Sequence, residues 1–151
     1  MRLFDAVHVH GKVDDALAAF SAEMKARGVW GSVTLVMLSD FSRTLSSNGL
    51  GTDHGWAGNY FFAGGAVAGG TVLGSYPADL TEAGPVNIGR GRLLPALPWE
   101  ALWHPIARWV GVADGDLPAV LPNLGNFAVG ETLLSMEQVY GPIIGDVSLL
   151  G

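Results

Sequence analysis

The chain has 151 residues, of which 49% are apolar and 15% charged, with 22 glycines, 8 prolines, no cysteine and a formal net charge of −6. This length suits a single domain, residues 1–151, with a core of its own. The acidic balance and scattered basic residues exclude a nucleic-acid partner, and the missing cysteines exclude disulfides and thiolate metal sites.

No apolar run approaches the ~20 residues that a membrane-spanning helix needs. The opening Met-Arg-Leu-Phe-Asp lacks a signal-peptide pattern. So low a charged fraction points to a well-covered sheet, or to apolar surface hidden against a protein partner.

The first expected strand is Leu3 to Val9, with His8, His10 and Gly11 at its end. A helix should follow, because Val13, Leu17, Phe20 and Met24 fall at i, i+4, i+7 and i+11 on one stripe. Asp14 and Asp15 sit in its first turn and Lys25 and Arg27 in its last, as the helix dipole favours, and Gly28 stops it. The apolar, β-branched run Val33 to Leu38 reads as a strand covered on both faces. Strand, helix and strand in that order predict a βαβ unit and a parallel sheet. Ligands of such sheets bind beyond the carboxyl ends of the strands, where His8 and His10 and then Ser39 and Asp40 fall.

Residues 41–58 read as a polar, glycine-rich loop, long enough to suggest a functional role. Tyr60–Ala63 and Thr71–Tyr76 read as a hairpin around the glycines of residues 64–70. No Gly-Lys-Ser/Thr follows those glycines, so a phosphate loop lacks support. Residues 77–91 read as irregular. Trp99–Val110 is an expected helix, with Leu102, Ile106 and Trp109 on one face and Pro105 placed to kink or split it. Asp116–Leu121 reads as a helical turn, and Leu133–Val139 as a helical patch ended by Gly141-Pro142. The expected fold class is therefore α/β: a short, mainly parallel sheet flanked by helices, with a glycine-rich hairpin beside it.

The chemistry concentrates in Gly51-Thr52-Asp53-His54-Gly55-Trp56. A carboxylate and an imidazole between glycines combine a hard oxygen with a borderline nitrogen, a mixture that Zn²⁺ accepts. Asp5, His8 and His10 form a second candidate cluster; His8 and His10 would share one face of a strand. Asp40 is a further candidate ligand or a cap for the loop. Arg43 can clamp an anionic group through its planar fork, or pair with Asp40 or Asp53. Arg90 and Arg92 form a small basic turn, best read as solvated or salt-bridged, and His104 reads as a satisfied packing residue. No Gly-x-Ser-x-Gly elbow supports a serine hydrolase, and no nucleophile stands out among Ser39, Ser42, Thr44 and Thr52.

Ser39-Asp40-Phe41-Ser42-Arg43-Thr44, the Gly51–Trp56 stretch and the Gly64–Gly70 run occur in the order of a known pattern. Together with Gly89-Arg90-Gly91-Arg92-Leu93-Leu94-Pro95 and Leu121–Phe127, they resemble a sulfatase-like family of the alkaline phosphatase superfamily, catalogued as domain of unknown function 1501. The resemblance implies the carboxyl-terminal half of an alkaline phosphatase-like fold and a metal site acting on phosphate or sulfate esters. It places Asp5 with His8 or His10 in one ligand set, Asp40 as the strand-end acid and Asp53 and His54 as loop ligands. The implied cofactor is a divalent metal, zinc first and manganese or calcium as alternatives, and an extracytoplasmic setting is implied by the family alone. Departures are the spacing of Phe4-Asp5-Ala6-Val7-His8-Val9-His10, Ser42 where the family carries Gly, Pro105 within a helix, and no counterpart of the upstream part that bears the nucleophile. The expected function is a metal-dependent ester hydrolase or its metal-binding half; the alternative is a non-catalytic relative serving as a binding or structural subunit.

Overall fold

The structure, a computed structural model, describes residues 3–128 and 131–142, with side chains from residue 10 onward. Its elements in chain order are α1 (Leu3–Ala26), a 3-10 turn at Trp30–Ser32, β1 (Leu35–Met37), β2 (Ser42–Ser47), β3 (Thr52–Gly55) and β4 (Phe61–Ala63). After a long irregular stretch come α2 (Trp99–Trp109), α3 (Leu117–Val120), a 3-10 turn at Leu124–Asn126 and α4 (Met136–Tyr140). The result is a mixed helix-and-strand fold in two compact units. One comprises the residues up to 66 with 78–94, the other 67–77 with the residues from 95 onward.

In the first unit the expected strand Leu3–Val9 is instead the start of α1. The stripe that begins at Val13 extends backwards by spacing through Val9 and Ala6, so the helical period persists where alternation of Val7, His8, Val9 and His10 suggested a strand. Gly11 sits inside the helix, tolerated at a cost of about 1 kcal/mol relative to Ala. With α1 in place of the expected first strand, the described residues form no βαβ unit. Among the described residues both sheets are antiparallel pairs, β1 with β4 and β2 with β3, in place of the expected parallel sheet.

β1 pairs with β4 in the register Leu35↔Ala63, Val36↔Phe62 and Met37↔Phe61. Both strands are half-buried, and Met37 is exposed, so the apolar run of residues 33–38 is not covered on both faces. The chain after β4 presses directly on the turn before β1: a Cβ on Gly64 would lie 2.0 Å from the Val33 carbonyl oxygen, and Gly65 donates its N–H to Trp30 O at 3.1 Å. That close backbone approach explains the glycines at 64 and 65 better than a hairpin tip does, and Thr71–Tyr76 forms no strand.

The buried apolar side chains of the described residues lie in the second unit: Ala101, Leu102 and Pro105 of α2, Leu117 and Leu121 at α3, and Leu133, Leu134 and Val139 at α4. α2 continues through Pro105 as one helix, with Glu100 in its first turn and Arg108 in its last. Trp109 stacks on Tyr140 with ring centroids 5.2 Å apart, fixing α4 against α2. α4 opens on a capping box: Ser135 Oγ accepts from the Gln138 N–H and Gln138 Oε1 accepts from the Ser135 N–H. The segment 67–77 is tied to this unit by the Ala68 N–H, which donates to Val139 O at 2.8 Å.

Leu133 is almost wholly buried in this core. Leu133→Ala is expected to lower the unfolding free energy by about 2–5 kcal/mol, measured by urea denaturation. Ser135→Ala, which removes only the cap, should cost about 1 kcal/mol.

Candidate functional site

The residues 41–58 expected as a loop are mostly the β2–β3 hairpin. The strands pair as Ser42↔Gly55, Arg43↔His54 and Ser47↔Thr52, with a bulge in β2 between Arg43 and Ser47. The tip carries Asn48-Gly49, a dipeptide that favours tight hairpin turns, with Gly49 at φ 92°. Asn48 closes the turn through its N–H to Gly51 O, and its Oδ1 accepts from the Leu50 N–H.

The bulge leaves polar groups that the ladder cannot satisfy, and each finds another partner. Thr44 Oγ1 accepts from the Asp53 N–H at 3.1 Å and donates to Ser46 O at 2.9 Å, which is why this hydroxyl is buried. The Leu45 N–H turns outward to Gly91 O at 3.1 Å.

Residues 87–93 dock on the hairpin through that bond. Gly89, Arg90 and Gly91 all have positive φ, at 98°, 59° and 70°. Asn87 Oδ1 accepts from the N–H groups of Gly89 and Gly91, and Glu82 Oε2 accepts from that of Arg90. The other oxygen of Glu82 accepts from Ser46 Oγ at 2.6 Å. A Cβ on Gly91 would lie 2.6 Å from the backbone nitrogen of Leu45, so no other residue fits there. A left-handed arginine is costly, by about 1–3 kcal/mol where the backbone is sparsely populated. Here the turn aims Arg90 at the hairpin, where its Nη1 lies 2.7 Å from Asp53 Oδ2.

Asp53 is therefore held on both oxygens, Oδ2 by Arg90 and Oδ1 by Asn48 Nδ2 at 2.7 Å. These contacts hold its carboxyl below the usual aspartate range. The Asn48 hydrogen bond is the largest cause, partial desolvation opposes it, and the charges of Arg90 and then Arg92 add to the lowering. His54 takes part in different contacts: its ring stacks on Phe41 with centroids 3.8 Å apart and planes 14° apart. Arg43, the cross-strand partner of His54, places its guanidinium 5.4 Å from the Phe41 ring centre and donates through Nη1 to Thr52 O. Arg43 thus pairs with neither Asp40 nor Asp53.

Asp53 and His54 are neighbours on one strand, yet their side chains serve different clusters, as the alternation of a β-strand dictates. Asp40 is exposed between β1 and β2. Asp5 and His8 lie on α1, their side chains outside the described residues, and His10 is exposed on the same helix. Among the described residues no three His, Cys, Asp or Glu side chains converge as a metal-ion cage would require. As arranged, the residues do not close a metal site: both Asp53 oxygens are occupied and His54 faces an aromatic ring. The sequence reading omitted Asn48 and Glu82 and weighed Thr44 only as a nucleophile; these three fix Asp53 and its turn. Of these, only the Asn-Gly dipeptide carried a local signal.

Because the folded-state pKa of Asp53 lies below its unfolded value, its contribution to stability is present above the ordinary aspartate range. It is lost as pH falls through the lowered value. In a carboxyl-carbon NMR titration Asp53 should titrate below a solvent-exposed aspartate. Asn48→Ala should raise its midpoint more than Arg92→Ala does; equal midpoints in both variants and the parent would contradict this electrostatic arrangement.

Residues 5–88 match the family described as Protein of unknown function (DUF1501), a stretch covering more than half of the chain. No curated protein and no solved structure matches it. The match covers α1 from its third residue, both strand pairs and the Asp53–His54 hairpin, and the chain belongs to this family.

Proposed function

We propose that this chain is the metal-binding half of a metal-dependent phosphate- or sulfate-ester hydrolase of the alkaline phosphatase type. The observation that carries this reading is the state of Asp53. It is an ionised carboxylate at the surface of a hairpin, with a guanidinium and an amide donor occupying the positions a cation and its neighbour would take. A divalent ion is a stronger counter-charge than one arginine, and His54 next in sequence offers the borderline nitrogen that zinc favours. Arg90 would then be displaced from Asp53 to become, with Arg43 and Arg92, a donor for an anionic ester. The remaining ligands and the nucleophile come from groups other than those the described residues bring together. Resemblance to sulfatase-like sequences supports the same class of reaction.

A second reading is a non-catalytic binding subunit. It is favoured by an open apolar groove of about 440 Å³ on the first unit, lined by Lys12, Val13, Ala16, Leu17 and Phe20 of α1 with Leu35 of β1. Val13 and Phe20 are exposed there, although their spacing is that of a core-facing stripe.

Elemental mass spectrometry of the purified chain separates the two. Retention of a divalent transition metal by the parent, its loss in Asp53→Ala/His54→Ala, and tighter retention in Arg90→Ala are expected for the hydrolase half. Equal metal content in the parent and the double variant would reject that reading and leave the binding subunit.

A further inference from the structure

We infer that the open face of α1 is closed by a second copy of this chain, the two helices packing antiparallel about a two-fold axis. The inference rests on the groove of the binding-subunit reading, names its occupant, and uses nothing of the Asp53 hairpin. Among the described residues the first unit has no buried apolar side chain, since all of those lie in the second. Yet α1 carries an apolar stripe on which Val13 is 46% and Phe20 40% exposed. An amphipathic helix draws most of its stability from covering such a stripe.

The stripe is complementary to itself. Val13 and Met24 are eleven positions apart, so they stand on one line three turns, about 16 Å, from each other. In the antiparallel pair Val13 lies opposite the partner's Met24, and Leu17 opposite the partner's Phe20. Each time a smaller side chain meets a larger one. Ala16 lines the same groove and leaves space that the partner's Phe20 fills. A two-fold axis repeats every such contact, because the same patch serves on both copies.

The charges agree with a copy as occupant. From His10 to Arg27 the basic Lys12, Lys25 and Arg27 balance the acidic Asp14, Asp15 and Glu23, so the net charge of −6 is carried elsewhere. A face in balance meets its own copy without repulsion and offers no field to a strongly charged partner. Lys12 and Glu23 are also eleven apart, on one flank of the stripe, and Asp14 and Lys25 eleven apart on the other. The antiparallel two-fold sets each flank beside its own counterpart. Lys12 then meets the partner's Glu23, and Asp14 the partner's Lys25, each pair occurring twice by symmetry. The helix dipoles oppose as well. Within one copy Glu23 pairs with Arg27 through a single oxygen, and Lys25 lies 5.4 Å from the centre of the Trp30 ring. Both are exposed contacts and leave these groups able to reach across.

The test is sedimentation equilibrium of the full chain over a concentration series. The parent should reach twice its 15.8 kDa mass and no more. Phe20→Glu should weaken the dimer about a hundredfold or more. Lys12→Glu and Glu23→Lys, each alone, set like charges opposite one another and should weaken it about tenfold. Mixing these two variants restores opposite charges in the antiparallel pair and should recover the parent's affinity. Both replace exposed residues, so the test stands even if Phe20→Glu disturbs the fold. The Asp53→Ala/His54→Ala chain should remain dimeric, so the hairpin's metal content and this interface are read separately. A monomeric parent overturns the inference and leaves the groove to a partner of another kind. So does a dimer that Phe20→Glu leaves intact, or a mixture no tighter than its two components.

Discussion

Leu45 gives its backbone N–H to Gly91 O, and the polar architecture of the first unit depends on that contact. The bulge in β2 frees the donor. The run of left-handed residues at 89–91 brings the acceptor close enough that only glycine fits at 91. With the turn docked, Glu82 satisfies Arg90 N–H and Ser46 Oγ together, and Arg90 reaches Asp53. Each of these bonds is modest alone, about 1 kcal/mol net for neutral partners, and the exposed Arg90–Asp53 pair is screened by solvent. They act as a network because the backbone conformation that makes one possible makes the others possible too.

Local periodicity was the most legible part of the sequence. The helix through the stripe Val13–Met24, a strand within the apolar run 33–38 and the helices expected at 99–110 and 116–121 appear near where spacing placed them, whereas the patch expected at 133–139 is helical only from Met136 to Tyr140. Two of the expectations that failed did so for different reasons. Val7-His8-Val9-His10 alternates like a strand, but the neighbouring helical stripe extends through it. Residues 42–55 are too polar to look like strands, but their hairpin is held by side-chain hydrogen bonds as much as by apolar pairing. The parallel sheet depended on the first of these readings and fell with it. Of the candidate ligands, the sequence located Asp53 and His54 in the chain but could not show that strand alternation sends them to different neighbours. Arg90 was read as part of a solvated or salt-bridged turn, and it is salt-bridged; that its partner would be Asp53 depended on a contact across 36 intervening positions.

The two units differ in what holds them. The second has a contiguous core built on α2 and α4. The first is stabilised, among its described side chains, by strand pairing, turns and the Asp53 network, with the apolar face of α1 left open. Its candidate chemistry thus sits where burial is lightest, as is common for parts of a protein that adjust on binding. A carboxylate that exchanges one counter-charge for another needs such surroundings, since a rigid, desolvated pair would resist the change.

Segment 67–77 belongs with residues that a ribosome makes much later, and Ala68 meets its partner Val139 only once α4 has been made. Residues 78–94, which belong with the earlier unit, emerge in between. During synthesis this stretch therefore waits for its Val139 partner until α4 exists. The glycines and alanines of 63–70 carry little apolar surface to misdirect in that interval. A chain cut before α4 would leave this stretch without its Val139 anchor.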